Sequence, residues 1–371
     1  MRIEIEKTDL IKLLSKTQNI VEKRNTMPVL VNVLLEAKDS RLKVFATDLE
    51  VSLTDEANCQ VLEEGSVAVS AKSLFDIIKE LPDNYISLHK KENNWLEVKQ
   101  NKSIFNIVGI SAEEYPVFPT YRTKEFTKIS AEVLKDMIEK TIYSVSNDET
   151  RYHLNGVYFE NVSDAEEPQL RMVSTDGHRL AMVERKTNSS NKIAPTQGVI
   201  IPRKGLNEIR KILDQTTDVE MAIEGSQLIV KCDNTVLMIR LIEGKYPNYK
   251  TLIPKTLSRH IRVSKDTLLS SLKRVSLLSN QKSKGITLNI QNSMMEISSN
   301  NPDLGDAKEE IEIDYKGENM KIGFNAKYLM DVLSNIDTEQ VEIELNDLVS
   351  PALLHPSEDR NYRCVVMPMR F

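Results

Sequence analysis

Cysteine is almost absent from this chain, with three in 371 residues, at Cys59, Cys232 and Cys364. They are far apart and odd in number, so neither a disulfide framework nor a metal-ligand spacing can be built from them. They read as incidental residues of a reducing compartment. No stretch approaches the ~20 apolar residues that a bilayer-spanning helix needs. Residues 1–10 carry alternating charges where a signal peptide has its apolar core, so the expected location is the cytoplasm, with no membrane partner. There is no glycine-rich phosphate loop and no nucleophile with a paired base, and nothing calls for a cofactor or a metal ion. A basic excess is missing too: 49 Lys and Arg stand against 55 Asp and Glu, a net charge of −6. Taken globally, that charge argues against tight electrostatic binding to nucleic acid.

What is present is a long internal repeat, with a period of about 125–130 residues. Three segments open alike. Ile3-Glu4-Ile5 alternates as a strand, Thr8 follows as a cap, and Leu10, Leu13, Leu14 and Val21 fall at helical spacing. Residues 126–129 alternate, Ser130 caps, and Val133, Leu134, Met137 and Ile138 follow. Ile261-Arg262-Val263 alternates, Ser264 caps, and Leu268, Leu269, Leu272 and Val275 follow. Each helix leads into a new alternating strand, at residues 31–35, 156–159 and 286–290.

The second halves match as well. Val69-Ser70-Ala71-Lys72, Ile201-Pro202-Arg203-Lys204 and Phe324-Asn325-Ala326-Lys327 each precede an amphipathic helix, with a lysine at the corresponding place. The reading is an α+β chain of three repeated domains, each of two helices and roughly eight mostly antiparallel strands. The expected domains are residues 1–122, 123–255 and 256–371. Tyr115-Pro116-Val117-Phe118-Pro119 and Tyr246-Pro247-Asn248-Tyr249 mark the extended linkers near Thr123 and Lys255.

The charge is unevenly placed. The six helical segments together carry +7, so the rest of the chain carries −13 of the −6 total. If all six helices face one side, that side is positive on an acidic protein and could line a DNA path. Lysines on ordinary solvated helix faces would give the same count.

The most specific motifs are Arg151-Tyr152-His153-Leu154-Asn155-Gly156, Ser174-Thr175-Asp176-Gly177-His178-Arg179-Leu180 and Ile201-Pro202-Arg203-Lys204-Gly205. Thr26-Met27-Pro28-Val29-Leu30, Phe324-Asn325-Ala326-Lys327-Tyr328 and the terminal Val365-Val366-Met367-Pro368-Met369-Arg370-Phe371 accompany them. Together, and in this order from end to end, they resemble the bacterial DNA polymerase III beta subunit, or sliding clamp, family. That resemblance implies a non-catalytic processivity factor, with three clamp domains per chain and a head-to-tail homodimer closed as a ring around double-stranded DNA. The partners it implies are the polymerase III alpha subunit, the clamp loader delta subunit and other polymerases and repair proteins. These would dock a short peptide.

The same resemblance assigns candidate residues. Leu154, Thr175, Gly177, His178, Arg179 and Leu180 match one wall of the peptide cleft. Pro247, Leu252, Val365, Met367, Pro368, Met369 and Arg370 match the rest, with Thr251 and Pro351 at more variable positions. Methionines suit such a site because they adapt to varied apolar partners. The DNA-facing candidates are Arg24, Lys72, Tyr152, His153, Arg203, Lys204, Lys282 and Lys284, touching phosphates without reading bases. Phe105, Ile107, Leu277 and Leu278 match the dimer contact.

Two other classes compete. Asp176 and His178 could mark a hydrolase-like enzyme, since a His beside an Asp can act as a general base. Replacing His178 would then abolish turnover. A monomeric scaffold of three adaptor domains would run at the 42.3 kDa chain mass, where a clamp runs near twice that.

Overall fold

The computed structural model describes residues 1–21, 27–162, 167–187, 195, 197–254 and 257–370. Six α-helices occur among the described residues. They are α1 (Lys7–Thr17), α2 (Ala71–Glu80), α3 (Ala131–Ile142), α4 (Arg203–Leu213), α5 (Lys265–Val275) and α6 (Ala326–Leu333). Each follows directly on a strand, as the repeat predicts.

The caps are only partly those read from sequence. Ser70, Ser264 and Asn325 accept from backbone N–H groups in the first turns of α2, α5 and α6. Thr8 is not a cap: α1 starts at Lys7, and Glu6 before it has no side-chain cap bond. The strand Arg2–Glu6 runs straight into the helix, and a distant carbonyl takes the cap's place. Lys7 N donates to Asn84 O at 3.1 Å. The same device recurs where Ala131 N donates to Thr217 O at 2.8 Å and Lys265 N to Glu339 O at 2.9 Å. Three repeats thus satisfy the same orphan N–H in one way.

The described residues divide into two compact units, one of residues 1–132 and 204–241, the other of 133–190, 194–203 and 242–371. The first unit holds a five-stranded and a nine-stranded sheet, the second an eight-stranded and a four-stranded sheet, all antiparallel. In each unit one long sheet joins distant parts of the chain. Val51–Asn58 pairs with Thr235–Arg240 in the first, and Arg179–Lys186 with Tyr362–Val366 in the second. In both units, sheet hydrogen bonds thus join strands from different expected domains.

Alternation sets which faces are dry. In the strand Arg2–Glu6, Ile3 and Ile5 point inward and pack with Leu10, Leu13 and Leu14 of α1 and Leu74 and Ile78 of α2. Each such fully buried side chain contributes about 1.5–3 kcal/mol. Leu14→Ala in this cluster is expected to cost about 2–5 kcal/mol.

Candidate functional site

The turn between Gln169–Thr175 and Arg179–Lys186 is built from its own side chains. Thr175 Oγ1 accepts from Gly177 N at 3.0 Å, and Asp176 Oδ1 accepts from His178 N at 2.9 Å and Arg179 N at 3.0 Å. Gly177 has φ +91°, a left-handed backbone that favours glycine, and the only atoms near a Cβ there would be those at the mobile end of the Arg151 side chain.

Arg179 is buried and ties this turn to its surroundings. It donates to Asp176 Oδ2 at 3.0 Å, to Asp331 Oδ2 of α6 at 2.6 Å and to Tyr143 O at 2.6 Å. Its guanidinium also lies over the Tyr328 ring, 4.6 Å from the centroid, and Tyr328 stacks on His178. Both oxygens of Asp176 are therefore committed to the turn and to Arg179. The His178 ring is exposed and does not pair with Asp176, so the hydrolase-like reading finds no general base.

Sheet register brings the other cleft candidates to this turn. Leu180 faces Val365, and Val365 faces Leu353 on the next strand. Leu154, Leu180 and Val365 form one buried cluster with Tyr246, Tyr249 and Leu353. The tail beyond Val366 is held on two sides: Met367 N donates to His178 O at 2.9 Å, and Met369 N to Gly323 O at 2.8 Å. Met367 stays exposed, while Pro368 and Met369 are half-buried and Arg370 is exposed.

The linker crosses the same cluster. Tyr246 and Tyr249 sink into it, leaving Pro247 half-buried and Thr251 and Leu252 exposed. Pro351 is half-buried, one residue before Ala352, which pairs with Val366. The structure thus gathers the cleft candidates around a floor of Leu154, Leu180 and Val365. Sequence reading missed Tyr143, Tyr328 and Asp331, which support Arg179, and the two linker tyrosines that anchor Pro247 and Leu252. Two large aromatics in a linker were the available signal, since loops seldom bury such side chains without a reason.

The basic candidates do not form one class. Lys72, Lys204 and Lys327 each occupy the second position of a helix, where the macrodipole disfavours a cation. Lys72 is exposed, whereas Lys204 is largely buried and paired with Asp48, and Lys327 pairs with Asp331 at 3.1 Å. Arg203 reaches Val145 O at 2.8 Å and also Asn147 Oδ1, capping the chain after α3. Burial, with the Arg179 cation nearby, lowers its guanidinium from the usual range. Tyr152 is exposed and edge-on to His153. Lys282 and Lys284 lie in the turn after α5, where Asn280 Oδ1 accepts from Lys282 N at 2.9 Å. Arg24 lies outside the described residues, as do Thr26, Lys255 and Phe371.

Phe105 and Ile107 lie on a sheet edge, and Leu277 and Leu278 in the turn Ser276–Leu278 after α5. Ser103–Ile107 ends the five-stranded sheet and Gly305–Glu312 the four-stranded one. Ile104 and Phe105 are exposed on the first edge, and Leu277 is 76% exposed after α5. Ile107 instead belongs to the buried core, because its inward register places it beside Leu96. Leu278 is half-buried.

Family models of the DNA polymerase III beta subunit match the chain in three parts: the N-terminal domain over residues 1–119, the central domain over 128–248 and the C-terminal domain over 250–370. The chain belongs to the DNA polymerase III beta subunit, or beta sliding clamp, family. It is 33% identical to the beta sliding clamp of Caulobacter vibrioides and 32% identical to that of Escherichia coli K12, with 100% of both chains covered in each case. Among solved structures, the sliding clamp of Caulobacter crescentus aligns with TM-score 0.95 at 33% identity, over 100% of both chains. A Bartonella birtlesii clamp bound to griselimycin also gives 0.95, at 31% identity and the same coverage. The fold is the three-domain clamp fold, and the function is that of a non-catalytic processivity factor of DNA polymerase III.

Proposed function

We propose that two copies of this chain close head to tail into a ring around duplex DNA and hold client proteins by short extended peptides. The three domains are assigned to residues 1–122, 123–255 and 256–371. The client peptide lies along the surface floored by Leu154, Leu180 and Val365 and edged by Leu252 and Met367. The observation that carries this is the double tether of the tail. Main-chain bonds to His178 and Gly323 fix its path while Met367 stays free and apolar. A rigid frame bearing adaptable side chains suits many partners sharing one site.

Ring closure pairs the open edge Ser103–Ile107 of one copy with Gly305–Glu312 of the other. Exposed Ile104, Phe105 and Leu277 support that reading, since an uncovered apolar edge strand invites pairing. DNA contact rests on Lys72, Tyr152, Lys282 and Lys284, together with Arg24. Lys204 and Arg203 act mainly through their protein partners. The contacts need only be weak and sequence-independent, because retention is topological. The proposed location is the cytoplasm, as expected of a bacterial replication protein. Separately, no helix among the described residues is long and apolar enough to cross a membrane.

The test is to load the protein onto circular DNA with its ATP-driven loader and then cut the circle once. Release on linearisation is expected, together with a solution mass near twice 42.3 kDa. Persistent binding to linear DNA with free ends overturns encirclement.

A further inference from the structure

The linker that edges the proposed client surface rests on a largely half-buried network of charged side chains, of which Glu184 is buried. Arg171 Nη1 donates to Glu160 Oε1 and to Tyr249 Oη, both at 2.7 Å, and Arg171 Nε donates to Glu184 Oε1 at 2.6 Å. Tyr249 Oη donates to Glu160 Oε1. Arg363 Nη2 donates to Glu184 Oε2 at 3.0 Å. Two carboxylates and two guanidiniums therefore span four neighbouring strands and balance one another.

Stability alone is a weak reason for such a network. Desolvating paired charges costs about as much as their attraction returns, and apolar replacements are often no less stable. What the network adds is one defined seat. The other linker tyrosine packs through its ring face, a contact more tolerant of sliding: Tyr246 stacks on Tyr158 at 5.0 Å and 15°. The Tyr249 hydroxyl fits only where Glu160 and Arg171 converge. Burial raises its phenol above the ordinary range, so it keeps the proton it donates.

Tyr249 also sets its neighbours. Its N–H donates to Pro247 O at 2.7 Å, and its carbonyl accepts from Leu252 N at 2.9 Å. At the far end, Arg363 lies two residues before Val365 on the strand that leads into the tail. The network thus connects both sides of the client surface. We propose that the Glu160–Arg171–Glu184–Arg363 network, acting through the Tyr249 hydroxyl, presets the spacing between the linker and the tail. Tyr249 and Arg171 are then positioning residues for client peptides that neither side chain touches. This rests on the assignment of the client surface made above.

The experiment measures binding of a labelled synthetic peptide carrying the clamp-binding segment of the same bacterium's polymerase alpha subunit to the full-length protein. Thermal midpoint and oligomeric mass are recorded for each variant. Tyr249→Phe removes only the hydroxyl and keeps the ring. A surface set correctly only part of the time binds more weakly in proportion, so the dissociation constant is expected to rise about five- to tenfold. The midpoint should move by less than about 2 °C, as for loss of one hydrogen bond. Glu160→Gln keeps an acceptor for the hydroxyl and should bind within about twofold of the parent.

Unchanged binding by Tyr249→Phe, with the parent binding normally, overturns the positioning role and leaves the client surface standing. A midpoint that falls in step with affinity overturns it too, by making the network merely structural. If the parent itself does not bind the peptide, the client-surface assignment fails, and this inference falls with it.

Discussion

Two linkers in this chain begin with Tyr-Pro and lie over long sheets, yet only the second is proposed to hold a client. In the first, the Tyr115 hydroxyl donates to Asn32 O at 3.2 Å and Phe45 O at 3.3 Å. Phe118 packs edge-on against Phe45, and the Glu224 carboxylate accepts from Arg122 N and Thr123 N. The turn near that linker repeats the one at Thr175. Thr47 Oγ1 accepts from Leu49 N at 3.0 Å, and Asp48 Oδ1 accepts from Glu50 N at 2.9 Å and Val51 N at 2.6 Å. Leu49, at φ +75°, tolerates a left-handed backbone where the second turn has Gly177.

The frames agree and the additions differ. Val51 stands where the second turn has Arg179, so Asp48 pairs with Lys204 of α4, whereas Asp176 shares Arg179 with Asp331 of α6. Thr235–Arg240, the strand beside the first turn, runs on into the chain. Tyr362–Val366, beside the second, leads into a tail with an exposed methionine. On the proposed reading, function is a site grafted onto one copy of a repeated frame.

Breaking the two frames side by side tests that view, and the largest effect belongs to Arg179. Arg179→Ala leaves Asp176 and Asp331 without their buried partner and is expected to cost about 3–5 kcal/mol in denaturant unfolding, with peptide binding lost. Lys204→Ala strands only Asp48, which keeps its turn donors, and should cost about 1–3 kcal/mol with peptide binding intact. Equal losses from the two variants would erase the distinction. Next, Met367→Ala should weaken peptide binding roughly three- to tenfold through lost apolar contact. Val117→Ala, on the 95% exposed residue of the first linker, should leave it unchanged.

The two leading tyrosines sharpen the comparison further. Tyr115→Phe removes a bonded hydroxyl and should cost about 1 kcal/mol. The Tyr246 hydroxyl is buried with no well-aligned hydrogen bond among the described residues, the Thr175 main chain being its nearby polar neighbour, so Tyr246→Phe should change unfolding by less than about 0.5 kcal/mol. A cost above that of Tyr115→Phe would mean that Tyr246 is bonded after all. The smallest effect concerns thiols. Burial pushes Cys59 and Cys364 up to about 11. Thiolate appears only as pH approaches that value, so at pH 8 roughly one thiol in a thousand is reactive. Native protein should resist iodoacetamide, by mass spectrometry, until it is unfolded.

The repeat was legible because it rests on local signals: apolar spacing, and caps such as Ser264. The misplaced start of α1 shows the limit, since a carbonyl 77 positions away at Asn84 replaces the cap that Thr8 was expected to supply. The cleft candidates stood out as motifs, but their physical surroundings did not. Nothing local shows that Arg179 meets Asp331, or that Tyr249 seats on Arg171, because both pairings exist only once strands from distant parts of the chain lie side by side. Ile107 illustrates the reverse: the resemblance matched it to the dimer contact, while register turns it into the core beside Leu96. Lys204 and Arg203 carry the charge expected of a DNA contact, yet folding spends much of it on Asp48 and on main-chain carbonyls.

The central claim is that the second linker and the tail, and not the first linker, form the client site. Photo-crosslinking the alpha-subunit peptide to the full-length protein and mapping the adducts tests it most directly. Adducts at Leu252 and Met367, with none at residues 111–126, are expected. Adducts concentrated around Val117 and Leu49 would contradict the account.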